Sequence, residues 1–118
     1  MAFLQKFTLK VVIKGFENDN GNLYFQLLDA KEKTIKQSVE IVDNKQVTVV
    51  TNNLSAGSYA VKVFQDKNNN GKLDTGIFGI PKEPWGLSNN AKAIFGPPKF
   101  EDMLFELKAN KEILIVLH

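Results

Sequence analysis

Oxygen-bearing side chains are concentrated in one short segment, residues 66–74. Its spacing is D-x-N-x-N-G-x-x-D, formed by Asp66, Asn68, Asn70, Gly71 and Asp74. Alternate side chains converge on one point when a glycine allows the chain to turn sharply after the third of them. Ca²⁺ prefers about six to eight oxygen ligands, and EF-hand loops begin with this pattern. The segment therefore predicts a calcium site.

The rest of the coordination shell departs from the EF-hand scheme. The carbonyl of Lys72 and the carboxylate of Asp74 fit it, but Ile77 stands where a bidentate glutamate is expected. We expect Glu83 or water to supply the missing oxygens, and affinity in the range of extracellular modules, about 10⁻⁴ to 10⁻³ M. The alternative is an Asn-Gly turn flanked by solvated acidic residues.

Aromatic residues follow within a glycine- and proline-rich stretch: Phe78, Trp85 and Phe95. Such residues usually fold inward and give a long loop its own small core, so we expect all three to be mostly buried. The alternative is a flat aromatic surface for a sugar ring, which would make the protein a carbohydrate-binding module.

Residues suited to catalysis are few. The only histidine is His118 and there is no cysteine, which excludes histidine-based triads and thiolate chemistry. Ser88 is not in the Gly-x-Ser-x-Gly pattern of a nucleophile elbow. Asp74 and Glu83 are candidates for the paired carboxylates of a glycoside hydrolase, but two acidic residues in one loop are more often solvated or metal-bound. We therefore predict that the protein is not an enzyme.

The segments on either side of residues 66–102 show the alternation of β-strands. Strands are predicted at 7–13, 22–29, 35–41, 46–51, 58–65, 103–107 and 113–117, and no segment has a persuasive helical period. The first two are expected to form a hairpin around Asn20-Gly21, and the last two to pair with each other. This pattern predicts one all-β domain, residues 1–118: an antiparallel sandwich with a long ordered loop at 66–102. The expected core includes Leu9, Val11, Phe25, Val61, Val63, Leu104 and Leu114.

Composition limits the class of partner. The 118 residues are 43% hydrophobic and 24% charged, with a net charge of +2, as in globular proteins. There is no arginine, the residue on which phosphate and guanine recognition mostly relies, so nucleic-acid binding is not expected. No apolar run approaches the roughly twenty residues that span a bilayer, so membrane insertion is not expected. Residues 1–10 are too short and too interrupted for a signal peptide.

Glycines, prolines and asparagines also occur in a long and specific order. One part runs from Leu54 through Gly57-Ser58-Tyr59-Ala60-Val61 to Phe64-Gln65-Asp66 and on to Asp74. The others are Phe78-Gly79-Ile80-Pro81-Lys82-Glu83-x-x-Gly86-x-Ser88-Asn89-Asn90 and Phe95-Gly96-Pro97-Pro98-x-Phe100-Glu101-Asp102. This order resembles that of the DUF2141 family.

The resemblance implies a bacterial, mostly exported β-sandwich, immunoglobulin-like or transthyretin-like, with no established activity. Family members often have histidine where this chain has Gln65. From this resemblance we expect a periplasmic or secreted location. Together with the residues, it leads us to expect a non-catalytic binding or interaction module whose partner is a protein or a glycan.

Overall fold

The computed structural model describes residues 5–19, 21–66, 83–91 and 98–118. Within them the chain forms eight strands and two short 3₁₀ helices, Ser88–Asn90 and Phe100–Met103. The strands are β1 (Lys6–Lys14), β2 (Asn22–Asp29), β3 (Thr34–Ile41), β4 (Val47–Ser55), β5 (Gly57–Asp66), β6 (Trp85–Leu87), β7 (Phe105–Leu107) and β8 (Lys111–Val116). The all-β prediction is confirmed. In these ranges no helix is long and apolar enough to cross a bilayer.

The strands form two sheets, which confirms the predicted sandwich-like architecture. One sheet has three strands in the order β4-β1-β8, and the other has the order β3-β2-β5-β6, with β7 also paired to β5. All these pairs are antiparallel except β1 with β8, which run parallel with Leu9 opposite Lys111.

Alternating side chains from both sheets fill the space between them. Five of the predicted core residues are buried there: Leu9, Val11, Phe25, Val61 and Val63. Leu104 is only partly buried and packs in a second, smaller cluster. The prediction for Leu114 is wrong, because its side chain is 49% exposed. Since β8 is apolar at every position from Ile113 on, alternation alone could not show which set faces inward.

The predicted hairpin of the first two strands is wrong. β1 lies in the three-stranded sheet and β2 in the five-stranded sheet. At the end of β1, Lys14 O accepts a hydrogen bond from Leu117 N, 2.9 Å away, which continues the pairing of β1 with the β8 side of its sheet. Gly15 has a φ of +89°, and Phe16 is buried in the core as the chain crosses over. The connection is therefore a crossing between sheets.

The predicted pairing of the last two strands is also wrong. β7 pairs with residues 57–59 of β5, whereas β8 pairs with β1 in the other sheet. The predicted loop at 66–102 also contains regular structure, since β6 adds a short strand to β5.

The two long sides of the sandwich differ. On one side Trp85 and His118 exchange backbone hydrogen bonds of 3.2 and 3.0 Å, so the segment that follows β8 joins β6 of the other sheet. On the other side the edge strands β3 and β4 share no ladder. There Lys36 Nζ crosses from β3 and donates to Thr51 Oγ1 of β4 at 3.1 Å. The sandwich is thus closed by backbone on one side and by a side chain on the other.

Candidate functional site

The β5 strand ends in two fully buried polar residues, Gln65 and Asp66. Gln65 follows Tyr59, Val61 and Val63 on the face turned toward the core, and its Nε2 donates to Asn18 O at 3.1 Å. The Gln65 side chain therefore holds the β1–β2 connection.

Asp66 and Glu83 each lie one residue beyond the last hydrogen bond between β5 and the chain that enters β6. The β5–β6 register aligns Phe64 with Trp85, and beyond that pair Gln65 N donates to Pro84 O at 2.8 Å. The next position on each chain is Asp66 and Glu83 respectively. Opposed residues in an antiparallel ladder have Cα atoms about 4.5–5.5 Å apart. Extending the β5–β6 register by one position would place the first predicted calcium ligand next to the acidic residue expected to complete the shell.

Both carboxyl groups of this pair are shielded from water. Asp66 is 0% exposed and Glu83 is 6% exposed. Burial removes hydration from a carboxyl group, so each needs hydrogen bonds or charges nearby, and both residues make polar or electrostatic interactions. A divalent cation compensates both charges at once.

The other predicted ligands, Asn68, Asn70, Lys72 and Asp74, lie outside the described residues. Asp66 and Glu83 flank the segment that contains these four residues. That segment therefore leaves the sheet and returns to it at neighbouring positions. In the part of the chain that the structure describes, no three His, Cys, Asp or Glu residues are grouped so that they could hold a metal ion. The calcium site stays a prediction.

Of the three predicted aromatic residues, only Trp85 lies within the described ranges; Phe78 and Phe95 lie outside them. Trp85 is partly buried and packs against a second cluster formed by Ala60, Leu87 and Met103 with partly buried Ala91, Phe100 and Leu104. Its ring also meets the ring of His118 edge-on, with 4.3 Å between centroids.

Trp85 is one member of an aromatic row that the sequence analysis missed. Phe64 lies opposite Trp85 on β5, and Tyr24 lies opposite Phe64 on β2. The Tyr24 and Phe64 ring centroids are 4.9 Å apart, and both side chains are partly buried. The signal was present, since Tyr24 and Phe64 alternate with core residues, but only the register shows that the two strands are neighbours.

Ser88, Asn89 and Asn90 act as structural links. The buried Ser88 Oγ accepts a hydrogen bond from Val61 N at 2.9 Å and donates to Met103 O. It occupies the gap on the β5 edge between the part paired with β6 and the part paired with β7. Asn89 Nδ2 donates to Leu104 O at 2.7 Å, and Asn90 Oδ1 accepts from Val116 N at 3.0 Å.

Gly86, the first residue of the Gly-x-Ser-Asn-Asn pattern, is needed for packing between the sheets. A Cβ at this position would lie 2.6 Å from Ile115 Cγ2. The pattern therefore connects four parts of the fold: β5, β6, β8 and the segment just before β7.

The family model of DUF2141, described as an uncharacterized protein conserved in bacteria, matches residues 11–114. The chain belongs to the DUF2141 family. A search of curated proteins finds no match. The DUF2141 match contains Asp66, Glu83 and the Gly-x-Ser-Asn-Asn pattern, so the resemblance stated on these residues is confirmed.

Proposed function

We propose that this DUF2141 protein is a non-catalytic binding or interaction module whose β5–β6 connection is stabilised by Ca²⁺. One observation carries the proposal: buried Asp66 and Glu83 flank the last β5–β6 hydrogen bond, from Gln65 N to Pro84 O, where that connection leaves and rejoins the sheet. A cation held there would tie both ends of the connection together.

The ligand roles follow from charge and position. Asp66 and Glu83 supply carboxylate oxygens from the sheet, and Asn68, Asn70, Asp74 and the Lys72 carbonyl supply the remaining oxygens from the connection. Glu83 thereby replaces the glutamate that Ile77 cannot provide. A site of about millimolar affinity is filled where free calcium is high, which fits a periplasmic or secreted protein with a protein or glycan partner.

The chemistry of the described residues supports a non-catalytic role. The Ser88 hydroxyl is committed to two backbone groups, and His118 is exposed beside Trp85. Glu83, one of the two carboxylates considered for glycoside hydrolysis, is buried, whereas that reaction requires accessible carboxyl groups.

Thermal unfolding with and without calcium tests the proposal. An ion that binds only the folded state stabilises it by about 2.7 kcal/mol at a hundred times its dissociation constant. The melting temperature should therefore rise with millimolar Ca²⁺, and much less with Mg²⁺, which resists a large all-protein cage.

Isosteric variants locate the effect. Asp66→Asn and Glu83→Gln should each reduce the calcium-dependent rise strongly, whatever they do to the melting temperature in its absence. The exposed residues Asp43 and Glu101 provide matched controls, and Asp43→Asn and Glu101→Gln should leave the rise unchanged. If the melting temperature does not rise at a calcium concentration about ten times the expected dissociation constant of ~10⁻³ M, the segment is only a turn.

A second candidate function, carbohydrate binding, is favoured by the row of Tyr24, Phe64 and Trp85. Aromatic side chains in a row present apolar ring surface to the faces of sugar rings. If this function is correct, Phe64→Ala and Trp85→Ala should abolish binding on a glycan array while the protein still folds. Phe100→Ala, which removes a partly buried aromatic residue outside the row, should leave glycan binding intact. Absence of any bound glycan for the wild-type protein would exclude this candidate.

A further inference from the structure

The edge strand β3 is polar on the face turned toward the core and apolar on the exposed face. Its polar residues Lys36, Ser38 and Glu40 pair with Leu27, Phe25 and Leu23, so they face the core side. Its apolar residues point the other way and are exposed; Ile41 is 83% and Val39 54% exposed. Among the described residues, no strand pairs with the outer edge of β3.

The free backbone groups on that edge belong to the odd-numbered residues. Gln65 N donates to Pro84 O, so odd-numbered residues of β5 bond to β6 and even-numbered residues bond to β2. The alternation of an antiparallel ladder then makes the odd-numbered residues of β2 bond to β3. By the same step, Gln37, Val39 and Ile41 direct their N–H and C=O groups away from β2, toward the free edge.

The sequence of this edge is complementary to itself in one register. With Ser38 opposite Ser38 of a second copy, Lys36 lies opposite Glu40 of that copy, and Glu40 lies opposite its Lys36. The same register places Gln37 opposite Val39, so the outward backbone groups of both copies meet. A register centred on Lys36 or on Glu40 opposes like charges, and one centred on Gln37 or Val39 leaves the charges without partners.

We propose that two copies of this chain associate through antiparallel pairing of β3 with β3 about a two-fold axis at Ser38. The two five-stranded sheets then become one continuous sheet. Charge complementarity identifies the partner as a second copy, because opposite charges on opposed positions stabilise a strand pair and like charges destabilise it. A two-fold axis makes the interface self-complementary.

An independent observation at the centre of the register supports the pairing. The Ser38 Oγ is buried and makes no hydrogen bond within the described structure. A buried hydroxyl without a partner is unfavourable. In the pair, the two Ser38 side chains occupy opposed positions outside the hydrogen-bonded rungs, where side chains approach most closely, so the hydroxyls can bond to each other.

Inward-facing charges on an edge strand commonly prevent pairing with other chains. Here the two charges have opposite signs and lie at equal distances on either side of Ser38. These two charges therefore destabilise pairing in most registers and with most other chains, but they stabilise pairing with a second copy in this register. The exposed Val39 and Ile41 side chains would lie along the outer face of the joint.

Charge reversal tests the proposal by sedimentation equilibrium, with the result compared across variants. The wild-type protein should dimerise. Lys36→Glu and Glu40→Lys should each raise the dimer dissociation constant by at least about tenfold, since each replaces both attractive pairs by repulsive ones. The two single variants mixed together should form a heterodimer, and the double variant Lys36→Glu/Glu40→Lys should dimerise again.

Controls separate pairing from net charge and from folding. Lys108→Glu lowers the net charge by the same amount as Lys36→Glu, but at an exposed position outside β3. This variant should dimerise like the wild type. Lys36 also bonds to Thr51, so its loss can weaken the monomer, whereas Glu40 has no such bond in the described structure and provides the cleaner variant. Hydrogen exchange should show slower exchange of the Gln37, Val39 and Ile41 amides at dimer-forming concentrations.

Two results would overturn the proposal. One is a wild-type protein that is monomeric at millimolar concentration, which would leave the edge open or assign it to another partner. The other is a dimer that both single variants form as tightly as the wild type, because the contact would then lie elsewhere. The dimer does not depend on the calcium proposal and should form equally with and without Ca²⁺.

Discussion

At the scale of single residues, the described structure uses side chains where backbone pairing is missing. Ser88 completes the β5 edge at Val61, and Asn90 bonds to the backbone of Leu114 and Val116 on β8. Asn89 and Asn90 adopt φ values of +61° and +50°, a left-handed conformation that asparagine tolerates better than most residues. These hydrogen bonds and backbone conformations give the Ser-Asn-Asn sequence a structural explanation.

Removing the Ser88 hydroxyl should cost considerable stability. Ser88→Ala leaves the buried Val61 N–H and Met103 C=O without a partner, so the free energy of unfolding should fall by about 1–3 kcal/mol. Ser55→Ala is the matched control, since the exposed Ser55 Oγ only accepts a bond from Lys6 Nζ and its loss should cost less than about 0.5 kcal/mol. Urea unfolding measures both. Equal effects would show that the Ser88 bonds do not stabilise the fold.

The turn between β2 and β3 makes a prediction about pH. The pKa of the Asp29 carboxyl is lowered, mainly because it accepts a hydrogen bond from the backbone N–H of Lys33. A second bond, from the N–H of Lys31, acts in the same direction, and partial desolvation opposes both. A lowered folded-state pKa stabilises the fold above the ordinary pKa of about 3.9, and this contribution is lost as the pH falls through the folded value. An NMR titration of Asp29 checks this. A midpoint at or above the ordinary value would contradict it.

At the scale of elements, β8 shows which half of an apolar strand carries the packing. Ile115 in β8 and Leu117, just after its end, face the core, whereas Leu114 is half-exposed. Leu117→Ala should therefore lower the free energy of unfolding by about 2–4 kcal/mol. Leu114→Ala, the same change at the half-exposed position, should lower the free energy of unfolding by about 1 kcal/mol or less. Chemical unfolding of the two variants measures the difference, and a larger loss for Leu114→Ala would mean that β8 faces the other way.

The strands themselves were predictable from the sequence because alternation marks a half-buried strand, as in β1 and β5. The pairing of the strands was not predictable. A hairpin signal such as Asn20-Gly21 is local and cannot reveal that the chain crosses to the other sheet at Phe16. β6 was missed because three residues, Trp85–Leu87, are too short for a pattern. For the candidate site, the acidic ligand types could be read from sequence. That Asp66 and Glu83 both flank the same end of the β5–β6 pairing could be seen only from the register.

At the scale of the whole molecule, the two sheets share one core and are joined at one side by the Trp85–His118 pair. We therefore predict a single cooperative unfolding transition. Trp85 fluorescence, which reports the junction, and far-ultraviolet circular dichroism, which reports all strands, should give coincident urea curves. Separate midpoints would show that the sheets unfold independently and would contradict the one-domain prediction.

The parallel pairing of β1 with β8 has a consequence for synthesis on the ribosome. β1 is the central strand of its sheet, yet one of its two neighbours is translated about a hundred residues later. While the chain grows, β1 can pair with β4 but keeps an unsatisfied, largely apolar edge. Contacts between distant parts of a sequence form slowly, and unpaired edges promote aggregation in the meantime. The nascent protein should therefore depend on chaperones until β8 emerges.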